Sequence, residues 1–185
     1  PLLSLLKTEW SGVVWGVILA IMLIGYLKPS FLTPFNIQIL LAAISVNMVI
    51  ALAQMLIVGI GQMNLSVGAI GGLVAISFAG LMDVFQLPIP LAVLMGLLIG
   101  LAAGLFNGVI IAFTGISAFI ITLASLSVFK GINLGITEAQ PFYGVAEAVK
   151  SFGNSSFIGT LPLLILPALL ALIGVWFLLN RMRFG

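Results

Sequence analysis

The sequence has 185 residues, of which 63% are apolar and 5% are charged, and its formal net charge is +2. A soluble domain is usually about a quarter charged, so this composition excludes a water-soluble globule and predicts a membrane protein in contact with lipid. Cysteine and histidine are absent, which excludes a disulfide framework, a thiolate metal site and a histidine acid–base group, and the small net charge gives no indication of nucleic-acid binding.

Six apolar stretches predict an all-α, polytopic membrane protein, with residues 1–185 forming a single transmembrane domain. The stretches are too long for β-barrel strands of about 10 residues, and polar and apolar positions do not alternate in them. Prolines mark the connections before the second and fourth spans, because proline cannot continue a helix and restricts the residue before it. The predicted spans are Ser11–Leu27, Ile37–Ile60, Val67–Met82, Leu91–Phe113, Ala118–Leu134 and Pro162–Leu179.

The second span carries a stripe of small and polar residues. Ala43, Asn47, Ala51, Gln54 and Gly61 recur at helical spacing, so they share one face of the helix. Polar side chains on a membrane helix face protein or water rather than lipid. Hydrogen bonding between helices is the simpler interpretation of this stripe. The alternative is the lining of a path for a polar solute, with Asn47 and Gln54 as its polar contacts.

The stretch Gly61–Gly68 interrupts a long region without any charged side chain. Irregular backbone is tolerated at membrane depth only where it is buried in protein or lines a wet cavity. One interpretation is a loop in which Gly61 permits the turn and Asn64 or Ser66 accepts a hydrogen bond from a backbone N–H two or three residues on. The other is a broken membrane helix in which Gln62, Asn64 and Ser66 present amide and hydroxyl groups to a solute.

Glycines occupy one face of the fourth span. Gly96, Gly100, Gly104 and Gly108 lie four residues apart, and such a ridge lets another helix approach closely. Asn107 adjoins the end of the ridge and is a further candidate for a solute path. Close helix packing explains the glycines themselves and does not identify a function.

The fifth span and the segment after it offer little chemistry. Thr122 and Ser125 share one face of the span, and Lys130 lies near its end, where the amine can reach the interface. Residues 135–161 form a long polar connection. Since no acid–base pair lies within the spans, the sequence predicts no catalytic residue, no metal ligand and no cofactor, and the chain is not expected to be an enzyme.

Six spans place both ends of the chain on the same side of the membrane. Lys7, Arg181 and Arg183 flank spans on that side, and the positive charge typical of cytoplasmic segments predicts a cytoplasmic N-terminus. Residues 135–161 then lie outside. Gly61–Gly68 lies near the inner face, which favours a connection over a broken helix.

Four segments resemble the permease subunits of bacterial ABC importers of the ribose/sugar type. Gly61–Gly68 is similar to the family's Gly-Gly-Ile-Asp-Leu-Ser-Val-Gly signature, and Phe106–Gly108 is similar to its Leu-Asn-Gly. Ile116–Leu123 followed by Phe129–Gly131 resembles Ile-Pro-Pro-Phe-Ile-Ala-Thr-Leu followed by Phe-Arg-Gly. Arg181–Gly185 resembles Arg-Thr-Arg-Phe-Gly, which in the family opens the cytoplasmic loop that docks on the ATPase.

The sequence departs from the family pattern at several positions. Asn64 replaces the signature aspartate, Ser117 and Ala118 replace the two prolines, and Lys130 replaces an arginine without its bidentate fork. Family members are longer than 185 residues, so the resemblance implies that this sequence covers only part of a permease.

The resemblance implies a membrane-spanning subunit in the bacterial cytoplasmic (inner) membrane that transports a sugar or sugar-like solute. A second permease subunit, identical or different, completes the pathway in the lipid bilayer. A solute-binding protein delivers the solute from outside, and separate ABC ATPase subunits hydrolyse ATP. The residues implied to begin ATPase coupling are Arg181, Arg183, Phe184 and Gly185, and those implied to form the path or a hinge are Gln62, Asn64 and Ser66.

Three alternatives remain open from the residues. An ion-coupled secondary transporter or channel usually carries ion-coordinating groups at mid-membrane, and these are scarce here. A membrane scaffold without transport is a further alternative, against which the polar stripe of the second span argues. Within the same family, permeases for branched-chain amino acids or autoinducer-2 fit the same segments.

Overall fold

The structure is a computed structural model that describes residues 11–181, and this part of the chain is mostly helical. A 3-10 turn at Pro29–Leu32 follows the first helix. The helices are α1 Ser11–Leu27, α2 Pro34–Gly59, α3 Val67–Asp83, α4 Ile89–Thr114, α5 Ala118–Thr137, α6 Glu147–Asn154 and α7 Ile165–Arg181. Two short antiparallel strands, β1 Ser156–Ile158 and β2 Leu161–Pro162, lie between α6 and α7.

Six of these helices are apolar, which confirms the all-α membrane architecture. By length and composition α2, α4 and α5 are able to cross a membrane. The helices α1, α3 and α7 have 17 residues each, about 26 Å at 1.5 Å per residue, which lies at the lower limit for a span. Leucines of α4 remain more than 60% exposed at Leu97, Leu101 and Leu105, and an apolar surface of this kind fits lipid rather than water.

The predicted helix boundaries agree with the structure to within a few residues at most ends. Proline lies in the first turn of two of the helices, at Pro34 in α2 and at Pro90 in α4, as expected for a residue whose missing N–H is no loss there. Gly115 closes α4 in the left-handed region at φ +67° and donates its N–H to the Ile111 carbonyl at 3.1 Å. This confirms the predicted tight turn between α4 and α5.

The segment after α5 differs from the prediction. Residues 135–161 contain the end of α5, the helix α6 and the strand β1 instead of a plain connection. The last apolar helix begins at Ile165 and not at Pro162, because Leu161 and Pro162 form β2. An eight-residue amphipathic helix and a two-residue strand are too short to give a clear periodic pattern in the sequence.

The helices pack as two groups. One group contains α3, α4 and α5, whose buried residues Ala69, Leu73, Ala103 and Phe129 form a common cluster. The other contains α2, which packs against α7 and β2. Contact between α2 and α3 is slight although they are consecutive, so the connection between them joins the two groups.

Only half of the glycine ridge on α4 is used for helix packing. A Cβ built at Gly96 meets Val74 Cγ1 at 3.6 Å, and one at Gly100 meets Val74 Cγ2 at 3.0 Å. At Gly104 and Gly108 a Cβ meets no atom within 4 Å in the part of the chain that the structure describes. The first two glycines therefore admit α3 closely, as predicted, whereas the last two border open space.

Candidate functional site

The connection between α2 and α3 is an ordered loop that begins with a glycine turn. Gly61 has φ +75°, a conformation that costs glycine little and other residues more. Its N–H donates to the Val58 carbonyl at 2.9 Å, and the Gln62 N–H donates to the Ile57 carbonyl at 3.1 Å. These bonds end α2 cleanly, so the structure has the predicted loop with its turn at Gly61 rather than a helix that continues with a break.

Asn64 fixes the second half of the loop. Its Oδ1 accepts the backbone N–H of Ser66 at 2.9 Å and the Ser66 hydroxyl at 2.7 Å. A short side chain that accepts from the backbone two residues on makes an Asx turn. The predicted bond from Asn64 is therefore present. Ser66 is the N-cap residue of α3 but makes no side-chain cap bond; its hydroxyl instead donates to Asn64 Oδ1.

Asn107 extends this network from α4. Its Nδ2 donates to Ser66 Oγ at 2.8 Å. Chemistry fixes the directions of these bonds. The Ser66 hydroxyl donates its proton to Asn64 Oδ1, so Ser66 Oγ must accept the bond from Asn107, whose amide nitrogen is its only side-chain donor. Ser66 is 0% exposed and Asn107 is 3% exposed, which makes this a buried polar contact within the packed group.

Thr122 on α5 holds the same loop from its other side. The Leu65 N–H donates to Thr122 Oγ1 at 3.1 Å, and that hydroxyl donates to the Ala118 carbonyl at 2.7 Å. Thr122 is 2% exposed. The backbone N–H groups of Leu65 and Ser66 are thus both satisfied by side chains, which permits irregular backbone among buried apolar helices.

A cavity of about 320 Å³ lies between the loop, the end of α2, the last turns of α4 and the start of α5. All the residues that line it are uncharged. They are Ile57, Ile60, Gln62, Met63, Asn64, Gly104, Asn107, Gly108, Ile111, Ala112, Ala118 and Thr122. The two glycines without helix contacts therefore form part of its wall, and a small number of amides and one hydroxyl interrupt an otherwise apolar surface, as is typical of ligand sites.

The structure brings together four of the six predicted path residues. Gln62, Asn64 and Asn107 line the cavity. Ser66 is hydrogen-bonded to both Asn64 and Asn107. Asn47 lies apart from the cavity, is exposed, and donates from Nδ2 to the Ala43 carbonyl of its own helix at 2.9 Å.

Gln54 also lies outside the cavity lining. It is half-buried, and its Oε1 is buried without a hydrogen-bond partner in the described chain. The face of α2 that packs within the described residues carries the buried Ser45 and Leu52 instead. A path role for Asn47 and Gln54 stays a prediction.

The predicted coupling residues lie at the end of the chain. Arg181 is the last residue of α7 and is exposed. Arg183, Phe184 and Gly185 lie outside the described residues. Within residues 11–181 there is no cluster of three or more acidic side chains able to hold a metal ion.

Thr122 contacts the loop and lines the cavity, although it is not one of the predicted path residues. Its hydroxyl accepts from the loop across 57 residues of sequence. The available signal was its place on one helix face with Ser125, which is likewise buried at 4% exposure. A pair of small hydroxyl residues on one face of an apolar helix indicates a contact but does not name the partner.

Comparison with known proteins agrees with this architecture. Residues 35–185 match the family described as branched-chain amino acid transport system / permease component. The chain is 34% identical to the D-allose transport system permease protein of Escherichia coli (strain K12) over 94% of its own length and 53% of the relative. It is also 34% identical to the ribose import permease protein of Bacillus subtilis (strain 168) over 94% of its own length and 54% of the relative.

A third relative is named for a different solute. The autoinducer 2 import system permease protein of Enterobacter sp. (strain 638) is 34% identical over 97% of this chain and 57% of the relative. The chain thus spans about half the length of the curated relatives it matches. No solved structure matches it. The family match covers most of the sequence, and the chain belongs to the branched-chain amino acid transport system / permease component family.

Proposed function

We propose that this chain is the membrane-spanning part of a permease subunit in an ATP-driven importer of a sugar or sugar-like solute. The family match over residues 35–185 is the observation that carries the proposal. Relatives named for D-allose transport, ribose import and autoinducer 2 import agree in being permease proteins of transport systems. Their common chemistry is a small polar solute, which fits the uncharged lining of the cavity.

The importer has further subunits in this proposal. Residues 1–185 belong to one transmembrane domain, and a second permease subunit completes the pathway. A solute-binding protein delivers the solute on the outer side. ABC ATPase subunits dock on the cytoplasmic loop that begins at residues 181–185 and hydrolyse ATP, so the permease itself catalyses no reaction.

The orientation follows from charge. A cytoplasmic N-terminus places Arg181 and the loop Gly61–Ser66 on the inner side of the bacterial cytoplasmic membrane. The exposed anions Glu138 and Glu147 are then outside. The described cavity accordingly lies at the cytoplasmic end of the pathway, bordered by Gln62, Asn64 and Asn107.

Reconstituted transport tests the proposal. The full-length permease is placed in proteoliposomes with its ATPase and binding protein, and uptake of labelled D-ribose and D-allose is measured. Uptake that requires both ATP and the binding protein is the expected result. Uptake driven by an imposed ion gradient without ATP would instead identify a secondary transporter and overturn the proposal. Omission of either the ATPase or the binding protein is the matched control.

A further inference from the structure

We propose that the cavity beside the Gly61–Ser66 loop is a binding subsite for an uncharged, hydroxyl-bearing solute, with Asn107 as its principal hydrogen-bonding residue. This inference rests on the proposed transport function and adds a location and a chemistry to it. Three observations carry it: an unpaired buried acceptor, a free donor beside it, and open space over two glycines.

The unpaired acceptor is Asn107 Oδ1. Its Nδ2 is committed to Ser66, and Oδ1 is buried without a hydrogen-bond partner in the described chain. A buried acceptor without a partner costs about 1–3 kcal/mol, and such groups are uncommon enough to require an explanation. Asn107 lines the cavity, so a donor bound in the cavity is the partner that we assign to this oxygen.

The donor beside it is Asn64 Nδ2. Both hydrogen bonds of the Asn64 amide use Oδ1, and Nδ2 makes none within the described chain. Asn64 is half-buried and lines the same cavity. A hydroxyl group both donates and accepts, so it is complementary to this pair of amide groups. Since the cavity wall has no charged residue, a charged solute would lose its hydration without compensation.

The space is provided by the second half of the glycine ridge. A Cβ at Gly104 or Gly108 would meet no atom of residues 11–181 within 4 Å, although both residues lie within a helix. The cavity of about 320 Å³ falls at the small end of the range for ligand sites. Ile57 and Ile111 complete an apolar wall that suits the C–H faces of a sugar ring.

Protection of an introduced cysteine tests the subsite directly, because the 185 residues contain no cysteine. Gly108→Cys is prepared in the full-length permease, with its other cysteines replaced, in complex with the ATPase. Modification by a small methanethiosulfonate reagent is timed with and without D-ribose or D-allose. At a sugar concentration about nine times Kd, mass action predicts modification about tenfold slower.

Two controls make this result specific. In the first control, the free amino acid leucine, a charged small solute, is added instead of the sugar. In the second, the cysteine is placed outside the cavity by Gly174→Cys on α7, where a Cβ also meets no described atom within 4 Å. Neither is expected to give protection. Equal rates at Gly108→Cys with and without both sugars, at concentrations that saturate uptake, would overturn the subsite.

A second variant does not depend on the buried network, whose loss could prevent folding. Gly104→Leu extends a side chain into the cavity, and Gly174→Leu is the control. Gly104→Leu is expected to raise KM for sugar uptake at least about tenfold, equivalent to 1.4 kcal/mol, with normal recovery of the assembled complex.

Other results would overturn the inference. A KM for Gly104→Leu equal to that of Gly174→Leu overturns the subsite alone. Poor recovery of the assembled complex with Gly104→Leu identifies the cavity as a protein-packing surface and also overturns it. Failure of the unsubstituted complex to take up sugar with ATP is a failure of the proposed function itself, so the two failures are distinguishable.

Discussion

Asn107 Nδ2 donates to Ser66 Oγ at 2.8 Å, although the two residues are 41 positions apart. The bond ties the start of α3 to the last turns of α4, and both residues are almost fully buried. Because Ser66 is also bonded twice to Asn64, one serine connects the loop to the packed helices. The loop is therefore held in a defined conformation rather than merely joining two helices.

Ser66→Ala tests the contribution of this serine to stability. The substitution removes one buried hydroxyl and leaves Asn107 Nδ2 without its acceptor. Hydrogen bonds between membrane helices average only about 0.6 kcal/mol, but a buried donor left unpaired costs about 1–3 kcal/mol, and the second effect dominates at a site with 0% exposure. We expect a loss of about 1–2 kcal/mol in the free energy of unfolding of the full-length protein, measured in detergent.

Ser127→Ala is the matched control, since Ser127 lies exposed on α5. It should leave the free energy of unfolding unchanged. If both alanine variants unfold alike, the network through Ser66 contributes nothing to stability.

Thr122→Val tests the second attachment of the loop. Valine keeps the shape but removes the oxygen that accepts the Leu65 N–H at 3.1 Å. Faster amide hydrogen exchange is expected in peptides covering residues 60–66, because the Leu65 N–H loses its partner. Thr122→Ser keeps the hydroxyl and is expected to retain slow exchange; equally fast exchange in both variants would mean that packing of the methyl group, and not the hydrogen bond, protects the loop.

The helices were predictable because apolar length is a direct signal of a membrane span. Pro34 and Gly115 mark helix ends through local chemistry, which the sequence displays. The loop network was only partly predictable. The spacing of Asn64 and Ser66 indicates a local turn, but the bonds to Asn107 and Thr122 depend on how α4 and α5 pack, and no local pattern encodes that.

The two halves of the glycine ridge show the same limit. Spacing alone treats Gly100 and Gly104 as equivalent, since both lie on the face of α4 that also carries Gly96. Their difference arises because Val74 of α3 packs against Gly96 and Gly100, whereas no atom of the described residues lies within 4 Å of a Cβ built at Gly104. Helix crossing is a tertiary property, so the open space beside Gly104 appears only in the structure.

Gly100→Ala and Gly104→Ala are expected to have opposite effects on stability. At Gly100 an added methyl presses on Val74 Cγ2 at 3.0 Å, and overpacking of this kind costs about 1–3 kcal/mol. At Gly104 the methyl meets nothing, and the better helix propensity of alanine adds up to about 1 kcal/mol. Thermal unfolding of the two full-length variants compares them directly. A lower unfolding temperature for Gly104→Ala than for Gly100→Ala would contradict the packing described for α4.

Asn64→Asp restores the residue of the resembling signature and is expected to leave the loop intact. A carboxylate oxygen can accept the same two bonds from Ser66 that Asn64 Oδ1 accepts at 2.9 and 2.7 Å, and bonds to a charged acceptor are stronger. Asn64→Leu removes the acceptor and should lower the free energy of unfolding by about 1–3 kcal/mol. The measurement is thermal unfolding of the two full-length variants. If Asn64→Asp unfolds as easily as Asn64→Leu, acceptance by Oδ1 is not what stabilises the loop.

Single cysteines at Met63 and Tyr143 test the proposed orientation. Met63 lies in the loop between α2 and α3 and is 50% exposed, whereas Tyr143 lies between α5 and α6 and is 77% exposed. With the N-terminus in the cytoplasm, a membrane-impermeant maleimide added to intact cells of a cysteine-free full-length strain should label Tyr143→Cys only. Labelling of Met63→Cys should require permeabilised membranes, because the lipid core excludes the charged reagent. Labelling of Met63→Cys but not of Tyr143→Cys in intact cells would show the opposite topology. The cavity would then lie at the outer end of the pathway, where solute enters instead of leaving.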